Sequence, residues 1–107
     1  MTKYILKGHE PVQVFDILEW ARWFETADRK VDRTELPDNV VVSTVFLGLN
    51  HNLGTKGLPI LFETLVFGGP LDGEMIRSAT WKDAIAEHEA MVKRVLEREP
   101  PADAGSG

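Results

Sequence analysis

There is no cysteine anywhere in these 107 residues. That excludes a disulfide framework and any thiolate-ligated metal centre, and it fits a reducing compartment. Basic residues are also in short supply: 12 Lys and Arg against 17 Asp and Glu give a formal charge of −5, and the pI is near 5.1. A surface that tracks phosphates needs clustered Lys and Arg, so this balance argues against nonspecific nucleic-acid binding. A basic protein partner would be steered towards such a chain. No apolar run approaches the ~18–20 residues needed to span a bilayer. The N-terminal "MTKYILKGHE" is interrupted at Lys7 and His9 before a signal-peptide core can form. The expectation is a soluble cytoplasmic protein with no nucleic-acid and no membrane partner, and no motif asks for a cofactor.

What is present is ordinary globular composition, 43 % hydrophobic and 27 % charged, enough to bury one modest core. We expect a single α+β domain over residues 1–98. "PPADAGSG" at the C-terminus is a Pro, Gly and small-residue tail, expected to be disordered over 99–107.

"KYIL" (Lys3 to Leu6) suits a short strand stopped by Gly8 and Pro11. "FDILEWARWFETADR" suits a helix: Asp16 and Glu19 have capping-box spacing, and Ile17, Trp20, Ala21 and Phe24 recur at i, i+3, i+4, i+7. "KVDRTEL" alternates weakly, as a partly exposed strand does, and "PDN" is turn chemistry. "VVVSTVFLGL" (Val40 to Leu49) and "ILFETLVF" (Ile60 to Phe67) are the strongest strand signals. Both are apolar on both faces, which predicts a sheet covered on both sides, by a helix on each or by a second copy. We expect a homodimer. A short strand is expected near Glu74 to Arg77. Thr80 then caps an amphipathic helix whose apolar face carries Trp81, Ile85, His88, Val92 and Val95, flanked by Ala84 and Leu96. The fold class is therefore α+β, an antiparallel sheet of four to five strands with two amphipathic helices packed on it.

Candidate chemistry is sparse. "NHNLGTKG" (Asn50 to Gly57) contains a glycine-flanked lysine, but a phosphate loop runs G-x-x-x-x-G-K-[ST] into a helix, and here a proline and a strand follow. It reads as an overlong hairpin tip, and loops of that kind on a rigid scaffold often bind. His51 on it is either a surface histidine making a loop hydrogen bond or a ligand or general base. Glu63 is the one charge inside its strand and must be paired or at a solvated edge. His88 lies on the apolar stripe, either as a satisfied core histidine or hydrogen-bonded to Glu63 as half of an acid/base pair. A metal site would need further ligands from His9, Asp72 or Glu74, and no spacing organises these. The aromatics of "WARWF" suit core packing. As an alternative, Trp20, Trp23 and Lys56 mark a candidate interaction surface.

The segments "WARWFETADR", "VVVSTVFLGLNHN", "LFETLVFGGPLDGE" and "TWKDAIAEHEAMV", in that order, resemble a family of small uncharacterised proteins of tailed bacteriophages and prophages, from about Lys3 to Val95. The resemblance implies a phage or prophage origin and carries over no activity and no catalytic residue. Where the family reads aspartate–histidine–asparagine at the hairpin tip, this chain has Asn50 before His51, so a carboxylate role there is missing. Where the family tends to read tyrosine–serine–threonine before the last helix, this chain has Ser78, Ala79 and Thr80. The leading functional expectation is a noncatalytic accessory protein acting through protein–protein contact in the host cell. The alternatives are a small-ligand or metal site built from His51, Glu63 and His88, with Asn50 beside it, and a minor structural component of the virion.

Overall fold

A computed structural model describes residues 1–54 and 56–98. The tail expected to be disordered, 99–107, lies outside the described residues. In chain order the elements are β1 (Lys3–Lys7), β2 (Glu10–Val14), α1 (Ile17–Thr26), β3 (Lys30–Leu36), a 3-10 turn at Pro37–Asn39, β4 (Val40–Phe46), β5 (Phe62–Phe67), β6 (Met75–Ser78) and α2 (Trp81–Arg98). The architecture is α+β and antiparallel throughout, but the strands form two sheets: the hairpin β1–β2 and the four-stranded meander β3-β4-β5-β6. The expectation of one sheet missed β2, because Gly8 and Pro11 looked like a stop. Each strand of a two-stranded sheet has a free edge, where a proline with no N–H to give is tolerated, and Pro11 pairs in register with Leu6.

The meander is held by β-branched residues whose alternation sorts them onto two faces. Val40, Val42, Thr44 and Phe46 of β4, with Phe62, Thr64 and Val66 of β5, point inward and are fully buried. Helix α2 lies across this face. Its first turn is capped by Thr80, whose Oγ1 accepts the Asp83 amide at 3.1 Å. Its buried seam is Ala84, His88, Met91 and Val95, spaced i, i+4, i+7, i+11 as one helical stripe requires. Met91 was absent from the expected stripe, and Leu96, expected at its flank, is about half exposed.

Helix α1 lies mainly against the β1–β2 hairpin and reaches the inner side of the meander through Trp23, which packs on Phe46. Asp16 is its N-cap, accepting the Leu18 amide at 2.9 Å. Ile17 and Ala21 face solvent, and the packed side is Trp20, Trp23 and Phe24. The extended segment after Phe46 leaves the meander and crosses to the hairpin. Leu49 bridges Lys3, the Tyr4 amide donates to the Gly48 carbonyl at 2.8 Å, and the Asn50 amide donates to the Thr2 carbonyl at 3.0 Å. Gly48 (φ +79) is required at that crossing, because a Cβ there would meet Phe24 at 2.8 Å. No described helix is long and apolar enough to cross a membrane.

The core has two apolar halves. One gathers Val40, Val42, Val66, Leu71, Met91 and Val95; the other gathers Phe46, Leu61, Phe62 and Ala84, with Trp23 and Trp81 against it. Between the two lie buried polar groups.

Candidate functional site

The hairpin tip is built by two asparagines. Asn50 Oδ1 accepts the amides of Asn52 (2.8 Å) and Ile60 (2.9 Å). Asn52 Oδ1 accepts the Gly54 amide at 3.0 Å, while its Nδ2 donates to the carbonyls of Lys56 (2.9 Å) and Leu58 (3.0 Å). An overlong loop is thus tied to itself by side chains that replace backbone partners. The His51 amide donates to the Ile60 carbonyl at 2.9 Å, and its half-buried ring makes no hydrogen bond or ion pair among the described residues. Lys56 is exposed at the tip.

Glu63 and His88 do not meet; of the two readings, His88 is the satisfied core histidine and Glu63 is paired elsewhere. Strand alternation puts Glu63 on the face of β5 opposite Thr64, away from α2. It pairs with Arg77, register partner on β6, at 3.2 Å. His88 is 1 % exposed on the helix side, where Nδ1 lies 2.8 Å from Thr44 Oγ1 and Nε2 lies 2.8 Å from Thr34 Oγ1. Thr44 Oγ1 is in turn 2.6 Å from Thr64 Oγ1. Asp32 Oδ2, 3.7 Å from Nε2, favours the tautomer with the proton on Nε2. The bonds then run in one direction: Thr64 donates to Thr44, Thr44 donates to Nδ1, and Nε2–H donates to Thr34. Both ring nitrogens have partners, and the ring has no face open to a solute. His88 therefore sets how α2 seats on the sheet. His51, Glu63 and His88 form no shared site, and no group of three His, Asp or Glu among the described residues could hold a metal ion.

Trp20 and Trp23, expected in core packing with an interaction surface as the alternative, are committed to packing. The Trp20 indole N–H is shared between the carbonyls of Tyr4 and Gly48, 3.1 Å each, and its ring stacks on Phe24. Trp23 meets Phe46 edge-on at 5.7 Å. Sequence reasoning named His9 only as a further metal ligand and missed its stacking: the ring lies parallel to Trp81 at 3.8 Å. That stack ties the β1–β2 turn to the start of α2, beside a cleft of about 390 Å³ lined by Tyr4, Pro11, Leu61 and Lys82 among others.

The surface that stands out is the second face of the meander. The register sets three cross-strand rows on it: Glu35–Val41–Phe67, then Arg33–Ser43–Leu65–Met75, then Lys30–Val45–Glu63–Arg77. Val41, Val45 and Leu65 are only half-buried, and Phe67 and Met75 are each 49 % exposed. Helix α2 is on the opposite side and α1 is against the hairpin, so no described element packs over these apolar side chains. Four of the five charges on this face are paired within it, Arg33 with Glu35 and Arg77 with Glu63, and Lys30 is the fifth. The apolar alternation was legible in the sequence, but which of its two faces stays open depended on where α1 packs.

Comparison with known protein families, with curated proteins and with solved structures finds no match to this chain.

Proposed function

We propose that the protein is a noncatalytic accessory protein that works by contact with another protein chain, through the open face of its four-stranded sheet. The observation that carries this reading is the set of Val41, Val45, Leu65, Phe67 and Met75, spread over three cross-strand rows of one face with nothing described packed over them. A contiguous exposed apolar surface rimmed by charged side chains is how protein contact sites present themselves. The one buried histidine is spent on seating α2, which leaves the open face as the feature without a structural use. Tailed-phage or prophage origin and action in the host cytoplasm belong to the same proposal, and rest on the sequence resemblance and on the chain's cysteine-free composition.

The test is in-cell photocrosslinking. A photoreactive residue at position 67 is expected to yield protein adducts, whereas the same residue at Glu89, exposed on the outer side of α2, yields few. Absence of any adduct from position 67 overturns the reading.

A further inference from the structure

We infer that the cleft between the β1–β2 turn and the start of α2 binds a small zwitterion with a flat apolar body, of the class of an aromatic α-amino acid. The inference goes beyond the protein-contact reading, because this cleft is built from other elements than the open sheet face. Three stretches far apart in the chain assemble it: the β1–β2 turn, the return segment at Pro59 and Leu61, and Ala79 to Lys82 at the head of α2. Small-molecule sites favour such junctions, and the volume of about 390 Å³ lies at the small end of the ~300–1,000 Å³ that they span. Pro11, Pro59 and Leu61 supply apolar wall. Trp81 meets Phe62 edge-on at 6.3 Å and His9 face to face at 3.8 Å, so the aromatic wall is set before a ligand arrives. Tyr4, half-buried, adds a phenol whose hydroxyl has no hydrogen-bond partner among the described residues.

The charges decide the class of ligand. Glu10 reaches the cleft from the hairpin and Lys82 reaches it from α2, yet neither takes part in an ion pair among the described residues. Elsewhere on the surface, acid and base brought side by side do pair, as Glu63 does with Arg77 and Glu74 with Arg94. A ligand seated on the apolar wall strips water from both Glu10 and Lys82, and each then needs an opposite charge. An amine alone satisfies Glu10 and sets a like charge beside Lys82; a carboxylic acid alone does the reverse. A neutral apolar molecule compensates neither. A molecule that carries an ammonium and a carboxylate on one carbon satisfies both, and its ring lies against Pro11, Leu61 and the His9–Trp81 stack. Glu10 and Lys82 are exposed, so they reach these groups by a change of rotamer with no shift of backbone.

The probe is L-phenylalanine, titrated to about 20 mM into the isotope-labelled full chain and followed by NMR at the Trp81 indole N–H and the amides of Ala79 and Lys82. The expected result is saturable shifts there with a dissociation constant on the order of 1 mM, the strength that about twelve non-hydrogen atoms support. N-acetylphenylalanine amide, phenethylamine and phenylpropionate keep the ring and lose one or both charges; each is expected to bind about fivefold more weakly or worse. Glu10→Gln is expected to weaken phenylalanine about fivefold and to bind phenylpropionate no more weakly than before, while Lys82→Gln weakens phenylalanine and spares phenethylamine. That crossed pattern assigns each charge to its partner, since a loosened cleft would weaken every probe alike. Circular dichroism keeps the comparison to folded variants, and the ligand series on the unaltered chain decides if a variant does not fold. No shift at these positions up to that concentration overturns the inference, as does equal binding of N-acetylphenylalanine amide or indifference to both substitutions. None of these results bears on crosslinking at position 67, so the two readings stand or fall separately.

Discussion

Asn50 shows at the scale of one residue how a single side-chain oxygen can hold a loop together. Both groups that Asn50 bonds are backbone amides, and both reach its Oδ1. An aspartate at this position offers the same acceptor. Asn50→Asp is therefore expected to change stability by no more than about 0.5 kcal/mol, while Asn50→Ala costs about 1–2 kcal/mol. Asn52 is different, because its Nδ2 donates twice; Asn52→Asp loses both donors and loosens the tip. Hydrogen exchange at the Gly54 and Ile60 amides distinguishes these cases. The polar layer gives a second ordering. Thr44 Oγ1 serves both Thr64 and His88, and Thr64 Oγ1 serves Thr44 alone. Thr44→Val leaves the buried His88 Nδ1 without a donor and is expected to cost about 2–3 kcal/mol in urea unfolding, against about 1 kcal/mol for Thr64→Val. Equal costs would mean that the histidine is not held through Thr44.

At the scale of elements, the ends of helices and strands were readable and their partners were not. Asp16 and Thr80 cap the two helices as their spacing predicts, because capping is decided within one turn. Strand β3 spans the whole of "KVDRTEL". By contrast, β4 ends at Phe46 and not Leu49, since from Gly48 onward the backbone bonds to Tyr4, Lys3 and Thr2 of the N-terminal segment. That crossing makes Gly48 a junction between the hairpin, α1 and the meander. Gly48→Ala must place a Cβ 2.8 Å from the Phe24 ring at a positive φ, and is expected to lower stability by about 1–3 kcal/mol. The loss should appear with reduced fluorescence-monitored burial of Trp20, which is bonded to the Gly48 carbonyl. A change smaller than about 0.5 kcal/mol would show that α1 can shift away without cost.

The whole molecule combines a net charge of −5 with one open apolar face. These oppose each other in self-association: apolar burial draws two copies together while their acidic surfaces repel. Salt screens the second effect and leaves the first, since the Debye length falls from ~30 Å at 0.01 M to ~3 Å at 1 M. Any association of two copies through that face is therefore expected to tighten severalfold in sedimentation as salt rises from about 0.02 M to about 0.5 M. Weakening with salt would instead indicate an interface held by intermolecular ion pairs.

By itself the sequence determined what depends on neighbours along the chain: the two caps, the Pro37–Asn39 turn, the strand alternation of Val40–Phe46 and Phe62–Phe67, the helical stripe that places His88 inward, and the acidic balance. Only the tertiary structure decided that Glu63 and His88 lie on opposite sides of β5 and β4, that Trp20 and Trp23 are spent on packing α1, and that α1 covers the hairpin and leaves the meander's second face open. The physical reason is that periodicity assigns a residue to one face of its own element, whereas what covers that face is set by long-range packing between elements far apart in the chain.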